Sequence, residues 1–509
     1  MRHFSALSEL LALRAKKGGE RIFIAEPDTG RTLRFGELRS RAETLARLLR
    51  RNGFRRGERA GLIFMNGIEA VLAFFAVIEA EGAAVPLPPG HSARELALLL
   101  EDAELSCLLS TEALAPELEA KTGLAGPLSL PGNLLLYPLS PPKAGASPQG
   151  WQEDTALLLY TSGSTGKPKG VPLTHSNLLA ECRNIRAAHR LRREDTALCL
   201  LPLYHINGLV VTLLTPLLAG LKVVMPPRFS ASRFWTWVRE HRVSWFSAVP
   251  AIYAILLGRR TPAPEEISCL RFARSASAPL PVKLLREFEK RTGVPLIESY
   301  GISEGGSQIT SNPLPPAARK AGSVGLPFGN EVRIFLADGE TAPAGVSGEV
   351  AVRGDNLAAA YFKNPGATAE SFRDGWFRTG DLGFLDSEGY LLLRGRGKEL
   401  INRAGEKIAP AEIDEVLYRH PGVELAAAVG VPHALYGEEV VAFLRLRPGA
   451  TAGEEDILSF CADKLAGFKI PKRIFFREGL PQGPSGKIQR LKLVDEYLAL
   501  PESDRVLKA

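Results

Sequence analysis

A run of eleven residues, Tyr160-Thr161-Ser162-Gly163-Ser164-Thr165-Gly166-Lys167-Pro168-Lys169-Gly170, concentrates hydroxyls, glycines and two lysines. A loop of that composition offers many backbone N–H groups beside hydroxyl and ammonium groups, which is what a polyphosphate needs for solvation and neutralisation. It is not a Walker A loop, because the glycines are spaced differently and Pro168 follows the first lysine. A flexible Gly/Ser linker is the bland alternative, but an apolar strand is expected just before it, at 156–159, and a capped helix just after it, near Thr174. A second run, Tyr300-Gly301-Ile302-Ser303-Glu304, supplies a flat ring for a purine, a hydroxyl for a phosphate and a hard oxygen ligand for Mg²⁺. In isolation Asp381, after Thr379-Gly380, reads as a turn residue, Lys487 as a solvated surface charge and His205 as a core histidine.

These groups must be held by a scaffold, and the patterning predicts one. Short apolar runs alternate with helical periodicities: a strand at 59–64, a largely apolar helix at 67–82 and a strand at 83–87. That βαβ rhythm predicts parallel or mixed sheets flanked by helices, an α/β class. From about Ser323 the texture changes to strands with tight turns, at 331–336, 348–353 and 390–394, which predicts a small β subdomain over about 323–395. After Gly395-Arg396-Gly397-Lys398 an α+β pattern returns, with a helix at 411–419 and strands near 425–431 and 440–445. The expected organisation is a large domain, 1–395, and a small α+β domain, 396–509.

The eleven-residue loop resembles the phosphate-binding signature of the adenylate-forming superfamily of acyl-CoA synthetases, luciferases and peptide-synthetase adenylation domains. Further segments resemble that superfamily in the same order: Leu201-Pro202-Leu203-Tyr204-His205-Ile206-Asn207-Gly208, Arg274-Ser275-Ala276-Ser277-Ala278-Pro279-Leu280, Tyr300 to Glu304, Trp376-Phe377-Arg378-Thr379-Gly380-Asp381, Gly395-Arg396-Gly397-Lys398 and Pro484-Ser485-Gly486-Lys487-Ile488. The resemblance implies an ATP- and Mg²⁺-dependent acyl-CoA synthetase that adenylates a carboxylic acid, releases pyrophosphate and passes the acyl group to the thiol of CoA. A stand-alone enzyme loading a carrier protein is the alternative. It also implies nucleotide contacts from Thr161, Ser162, Gly163, Ser164, Thr165, Gly166, Lys169, Ser277, Glu298, Ser299, Tyr300, Gly301 and Ser303, with Asp381 and Arg396 on the ribose hydroxyls and Glu304 on the metal. By the same resemblance Lys487 bridges carboxylate and α-phosphate, His205 lines and gates the acid pocket, and Lys398 is the hinge of a mobile C-terminal domain. Rotation there would bring the face around Gly405 to a channel for the pantetheine thiol.

Composition limits the remaining possibilities. The charge of +7 comes from 63 basic against 56 acidic residues scattered along 509, which suits anionic small ligands and predicts no nucleic-acid partner. Five well-separated cysteines without a CxxC predict neither disulfides nor zinc, hence a cytoplasmic setting. The segment 197–221 lacks charge, but Pro202, His205, Asn207, Gly208 and Pro216 interrupt it, so a buried strand, loop and helix is expected rather than a membrane span. A homodimer is expected only from the frequency of twofold oligomers. For the acid, residues 274–278 with Gln308-Ile309-Thr310-Ser311-Asn312-Pro313-Leu314-Pro315 resemble the oxalate–CoA ligase branch, except that Ser307 replaces an expected His and Asn402 a common Lys. Losing a cationic partner leaves a distal carboxylate less well paired, so short aliphatic or small polar acids are expected ahead of oxalate itself, with medium-chain or aryl acids next.

Overall fold

The computed structural model describes residues 4–139, 148–161, 168–404, 406–433, 435–483 and 488–505, without the side chains of Lys398, Lys407, Glu502 and Ser503. Among the described residues the strands form four sheets. One has nine strands, in the order Leu326–Pro327, Ser307–Ser311, Leu296–Ile302, Phe272–Ser275, Trp245–Ala248, Thr196–Cys199, Lys222–Val224, Ile22–Ala25 and Thr32–Arg34. Its middle is parallel and its two ends antiparallel. The second, of seven strands, runs Leu128–Leu130, Leu134–Pro138, Cys107–Thr111, Arg59–Ile63, Ala83–Leu87, Thr155–Thr161 and Lys169–Thr174.

The period of two along these strands explains why both sheets are buried on both faces. In the nine-stranded sheet Ala197, Val223, Trp245, Phe272 and Ile297 belong to one hydrophobic cluster, and their neighbours Leu198, Val224, Phe246, Ala273 and Leu296 to another. The first cluster is shared with the seven-stranded sheet through Ala60, Ala84 and Leu157, and with Val71 and Phe75 of the helix Ile68–Glu79. That helix is apolar nearly all round and almost wholly buried, as a helix enclosed by other elements must be. The uncharged segment behaves as expected: the strand Thr196–Cys199 leads, through a loop, into a buried π-helical stretch, Asn207–Leu214, and the helix Thr215–Ala219. Among the described residues no helix is long and apolar enough to cross a membrane.

The strands Glu331–Phe335, Gly348–Arg353, Trp376–Leu385, Phe372–Arg373 and Leu391–Arg396 form an antiparallel five-stranded sheet. Its last strand runs two residues beyond the 390–394 expected from sequence, through Gly395 at φ +126°, and so carries Arg396 into the sheet. From Ile401 onward a fourth sheet forms, its long hairpin Val423–His433 and Gly437–Leu446 again alternating between two clusters, Ala426, Ala428, Val440 and Ala442 on one face and Ala427, Val429, Val441 and Phe443 on the other.

The hairpin from Leu296–Ile302 to Ser307–Ser311 depends on one glycine. A Cβ on Gly301 would lie 1.4 Å from the Ser307 carbonyl oxygen, a backbone atom that cannot swing away. Gly301→Ala is therefore expected to lower stability by about 3 kcal/mol or more, read as a fall in the urea midpoint; an unchanged midpoint would show that the hairpin can shift to make room.

Candidate active site

Asp381 and Arg396 are register partners on the neighbouring strands Trp376–Leu385 and Leu391–Arg396, so the sheet itself sets a carboxylate beside a guanidinium. Arg396 Nε donates to Asp381 Oδ1 at 3.0 Å. From the nine-stranded sheet the Tyr300 hydroxyl donates to Asp381 Oδ2 at 2.5 Å. The Asp381 N–H donates to Thr379 Oγ1 at 3.0 Å, and that hydroxyl donates to the Val350 carbonyl at 2.8 Å. Burial first, and the Asp381 carboxylate second, hold the Tyr300 phenol well above its ordinary value, so it remains a proton donor. For Arg396 burial pulls downward, but Asp381, Glu399, Tyr300 and Glu304 outweigh it and the guanidinium is raised.

These three residues line a cleft of about 670 Å³, together with Ser277, Glu298, Ser299 and Gly301. Ser277 sits at φ +72°, a left-handed conformation rare for a residue with a Cβ, and Asn207 Nδ2 donates to its Oγ at 3.2 Å. Glu298 accepts from the Leu280 N–H at 3.3 Å through one oxygen, while the other has no partner among the described residues. Burial pushes its carboxyl up to about 8, so it can act as a donor near neutral pH. Ser299 spends its hydroxyl on Ser311 Oγ at 3.0 Å, which leaves its backbone as the part available to a ligand.

Glu304 is placed by a segment that sequence reasoning did not single out. The Tyr361 hydroxyl donates to Glu304 Oε1 at 2.6 Å, and the Lys169 ammonium lies 4.7 Å from the centre of the Tyr361 ring. The backbone fastens the same stretch on both sides: the Ala358 N–H donates to the Glu304 carbonyl at 2.7 Å, and the Phe362 N–H to the Gly170 carbonyl at 2.8 Å. Asn177, which completes a capping box with Thr174 at the start of the helix His175–Ala188, donates to the carbonyls of Asp355 and Leu357. Thr161 Oγ1 reaches the Lys169 carbonyl only at 3.5 Å. Among the described residues no group of three or more His, Cys, Asp or Glu could hold a metal. A single carboxylate suits Mg²⁺, which takes its other ligands from phosphates and water.

His205 lies at the head of the helical stretch beginning at Asn207, its N–H donating to the Pro202 carbonyl at 3.0 Å and its ring edge-to-face on Tyr204. Thr161, Lys169, His205, Ser303 and Glu304 are not part of the cleft lining. The opposite wall comes from the C-terminal residues, including Glu412 and Glu415 of the helix Pro410–Arg419. Ser162, Gly163, Ser164, Thr165, Gly166, Gly405 and Lys487 lie outside the described residues, as does the side chain of Lys398, whose backbone forms the short turn Gly397–Glu399. Gln482 and Ile488, the bridged residues on either side of 484–487, both line the cleft.

Arg274, within the segment 274–278 that resembles the oxalate–CoA ligase branch, is a buried guanidinium that donates to Asn207 Oδ1 at 3.2 Å and Ser247 Oγ at 3.0 Å. The signal that could have found it is the strand period of two. In Phe272–Ser275, Phe272 faces the inter-sheet core, so Arg274 must face it as well.

Comparison with known proteins gives a consistent picture. Residues 11–362 match the AMP-binding enzyme family and residues 412–487 its C-terminal domain. The chain is 40% identical over 500 residues to a sulfoacetate–CoA ligase of Cupriavidus necator, covering 97% of this chain and 98% of that one. It is 42% identical over 470 residues to an oxalate–CoA ligase of Arabidopsis thaliana, covering 90% and 91%. Among solved structures, ATP-bound MatB from Rhodopseudomonas palustris superposes with a TM-score of 0.86 at 30% identity, covering 97% of this chain and 99% of that one.

Asp381→Asn removes the charge that both Arg396 and Tyr300 address while keeping the shape. It is expected to weaken nucleotide binding by roughly 10-fold or more, measured by titration calorimetry; an unchanged affinity would place the nucleotide away from this pair.

Proposed function

Because the chain belongs to the AMP-binding enzyme family, we propose that it is an ATP-dependent acid–CoA ligase acting on a small carboxylic acid. The observation that carries this reading is the match along 97% of the chain to a CoA ligase, together with a cleft in which Tyr300, Asp381 and Arg396 are already tied together. In the first half-reaction the acid's carboxylate oxygen attacks the α-phosphorus of ATP, the bond to the β-phosphate oxygen breaks, and pyrophosphate leaves. In the second, the thiol sulfur of CoA attacks the acyl carbon of the mixed anhydride, and AMP leaves. No general base is needed for the first step, since a carboxylic acid is already ionised at neutral pH.

The residue roles rest on the resemblance of the motifs and on the chemistry of each side chain. Asp381 would accept from the ribose hydroxyls, with Arg396 and Tyr300 fixing its orientation. Tyr300 and the backbone of Ser299 and Gly301 would border the purine, Ser303 would donate to the α-phosphate, and Lys169 with the hydroxyls and glycines of the loop would meet the polyphosphate. Glu304 would hold Mg²⁺, whose charge offsets that of the phosphates. Its orientation is set by the Tyr361 hydroxyl. Lys487 would place a point charge between carboxylate and α-phosphate, and His205 would border the acid.

The domain boundary at residues 396–398, with Lys398 as hinge, belongs to the same proposal. One cleft cannot present two sets of side chains at once, and a rotation that withdraws Lys487 and brings up Gly405 would serve the two half-reactions in turn. CoA is the acceptor rather than a carrier protein, in keeping with the two CoA ligases named above. Five well-separated cysteines without a CxxC favour a reducing, cytoplasmic setting; a homodimer rests on frequency alone.

Pyrophosphate release over a panel of acids, with and without CoA, tests the reading. Short acids are expected to turn over with CoA present, and a maximum at palmitate or at any free amino acid would overturn it. Lys487→Ala is expected to slow adenylate formation by ~100-fold or more while sparing thioester formation from a supplied acyl-adenylate; equal loss of both halves would remove Lys487 from this role. Lys398→Pro is expected to do the reverse, because fixing φ at the hinge opposes rotation and not the first chemical step.

A further inference from the structure

The helix His175–Ala188, which directly follows the strand Lys169–Thr174, turns Leu178, Glu181 and Ile185 to one face, and all three are fully buried. Packing asks only for an apolar side chain at position 181. The carboxylate instead meets two donors from other segments: the Gln308 backbone N–H at 2.6 Å on Oε1 and Asn356 Nδ2 at 2.9 Å on Oε2. An apolar residue there would leave both donors short of an acceptor, unfavourable by about 1–3 kcal/mol for each. Burial raises the carboxyl, while the Gln308 N–H, the Arg274 guanidinium and Asn356 oppose that rise. With both oxygens accepting, the geometry is that of the ionised group.

Both contacts bear on the exit from the turn that carries Ser303 and Glu304. That turn, Ser303–Gly305, joins the strands Leu296–Ile302 and Ser307–Ser311. Asn356 Nδ2 also donates to the Gly305 carbonyl at 2.7 Å, so one amide links the Glu181 carboxylate to the residue after Glu304. The Gln308 N–H belongs to the same peptide as the Ser307 carbonyl, the oxygen that lies where a Cβ on Gly301 would stand. Glu181 therefore fixes the plane of that peptide, next to a Ser307 held at φ +139°, a conformation rare for a residue with a side chain. The turn also lies on the stem of Glu181, since a Cβ at Gly306 would come within 3.3 Å of the Glu181 Cβ. Tyr361 and the Ala358 N–H hold Glu304 itself, and Glu181 holds the chain that leaves it.

We propose that Glu181 is a positioning residue for the metal-binding carboxylate: through Asn356 and the Ser307–Gln308 peptide it sets the turn Ser303–Gly305 so that Glu304 meets the Mg²⁺ of bound ATP. It also ties that turn to the helix that follows Lys169–Thr174, so the metal-binding and phosphate-binding segments keep one relative placement. This rests on the assignment of Glu304 to Mg²⁺ in the ligase reading.

The test is titration calorimetry of ATP against the full-length protein without acid or CoA, in the presence and absence of Mg²⁺, beside the Mg²⁺ dependence of pyrophosphate release with acid. Glu181→Gln keeps the shape but sets an N–H₂ against one of the two donors. It is expected to reduce the gain in ATP affinity that Mg²⁺ brings, and to raise the Mg²⁺ concentration for half-maximal release, each by ~10-fold. ATP affinity without Mg²⁺, the KM of the acid and thioester formation from a supplied acyl-adenylate are expected to stay as in wild type. Glu181→Asp, which keeps both acceptors on a shorter stem, is expected to retain part of the gain. Asn356→Asp, which faces a carboxylate with both Glu181 and the Gly305 carbonyl, is expected to lose it as Glu181→Gln does and serves should that variant fail to fold. Equal falls in ATP affinity with and without Mg²⁺, or unfolding of all three variants, would overturn the proposal by making Glu181 a general support of the fold. A gain lost in Glu304→Gln but intact in Glu181→Gln and Asn356→Asp would overturn the role of Glu181 alone. A gain intact in Glu304→Gln would remove the metal assignment and this role with it.

Discussion

The hydrogen bond from Tyr300 to Asp381 joins parts of the chain that share no sheet. Tyr300 belongs to the nine-stranded sheet, Asp381 to the five-stranded one, and Arg396, on the other oxygen of Asp381, ends the strand that leads toward the C-terminal residues. A carboxylate with both oxygens engaged cannot turn freely, so the relative placement of the two sheets is recorded in one side chain. Charge-assisted bonds of this kind are roughly twice as strong as neutral ones and lose most when one partner is misplaced. The ring of Tyr300 and the acid it holds therefore form one surface of the cleft rather than two mobile groups.

A similar economy holds around Glu304. The residues 355–362 have no repeated polar pattern, yet they fasten Glu304, the strand Lys169–Thr174 and the helix His175–Ala188 to one another through backbone and amide bonds. The consequence is a short path from Lys169 through the Tyr361 ring to the Glu304 carboxylate. Cation and anion are kept near each other but are spaced by an aromatic ring, so neither cancels the other in a direct ion pair.

The polar cluster of Arg274, Gln308, His189, Glu181 and Asn356 is the part of the core that hydrophobic burial does not explain. Its members are all buried, and several of their polar atoms have no partner among the described residues. Elsewhere the two faces of each strand separate neatly into apolar clusters. A violation of that rule beside the cleft is where function is expected to override packing.

The sequence alone determined the class of the fold, the order of its elements and the identity of the motifs. Strands and helices follow from periods of two and 3.6, and the turn, cap and loop residues are local in the chain: the capping box at Thr174, the strands Ala83–Leu87 and Gly348–Arg353 and the interruptions in 197–221 are all legible within a few residues. Tertiary structure alone decided which of those residues meet. Asp381 finds Arg396 through strand register, and Tyr300 finds Asp381 across 81 positions. Tyr361 finds Glu304 across 57. Arg274 is charged by its sequence, but only the packing of two sheets around it buries it among the side-chain oxygens of Asn207 and Ser247. Hydrogen bonds and desolvation depend on distances of a few ångströms between segments far apart in the chain, and no local pattern encodes them.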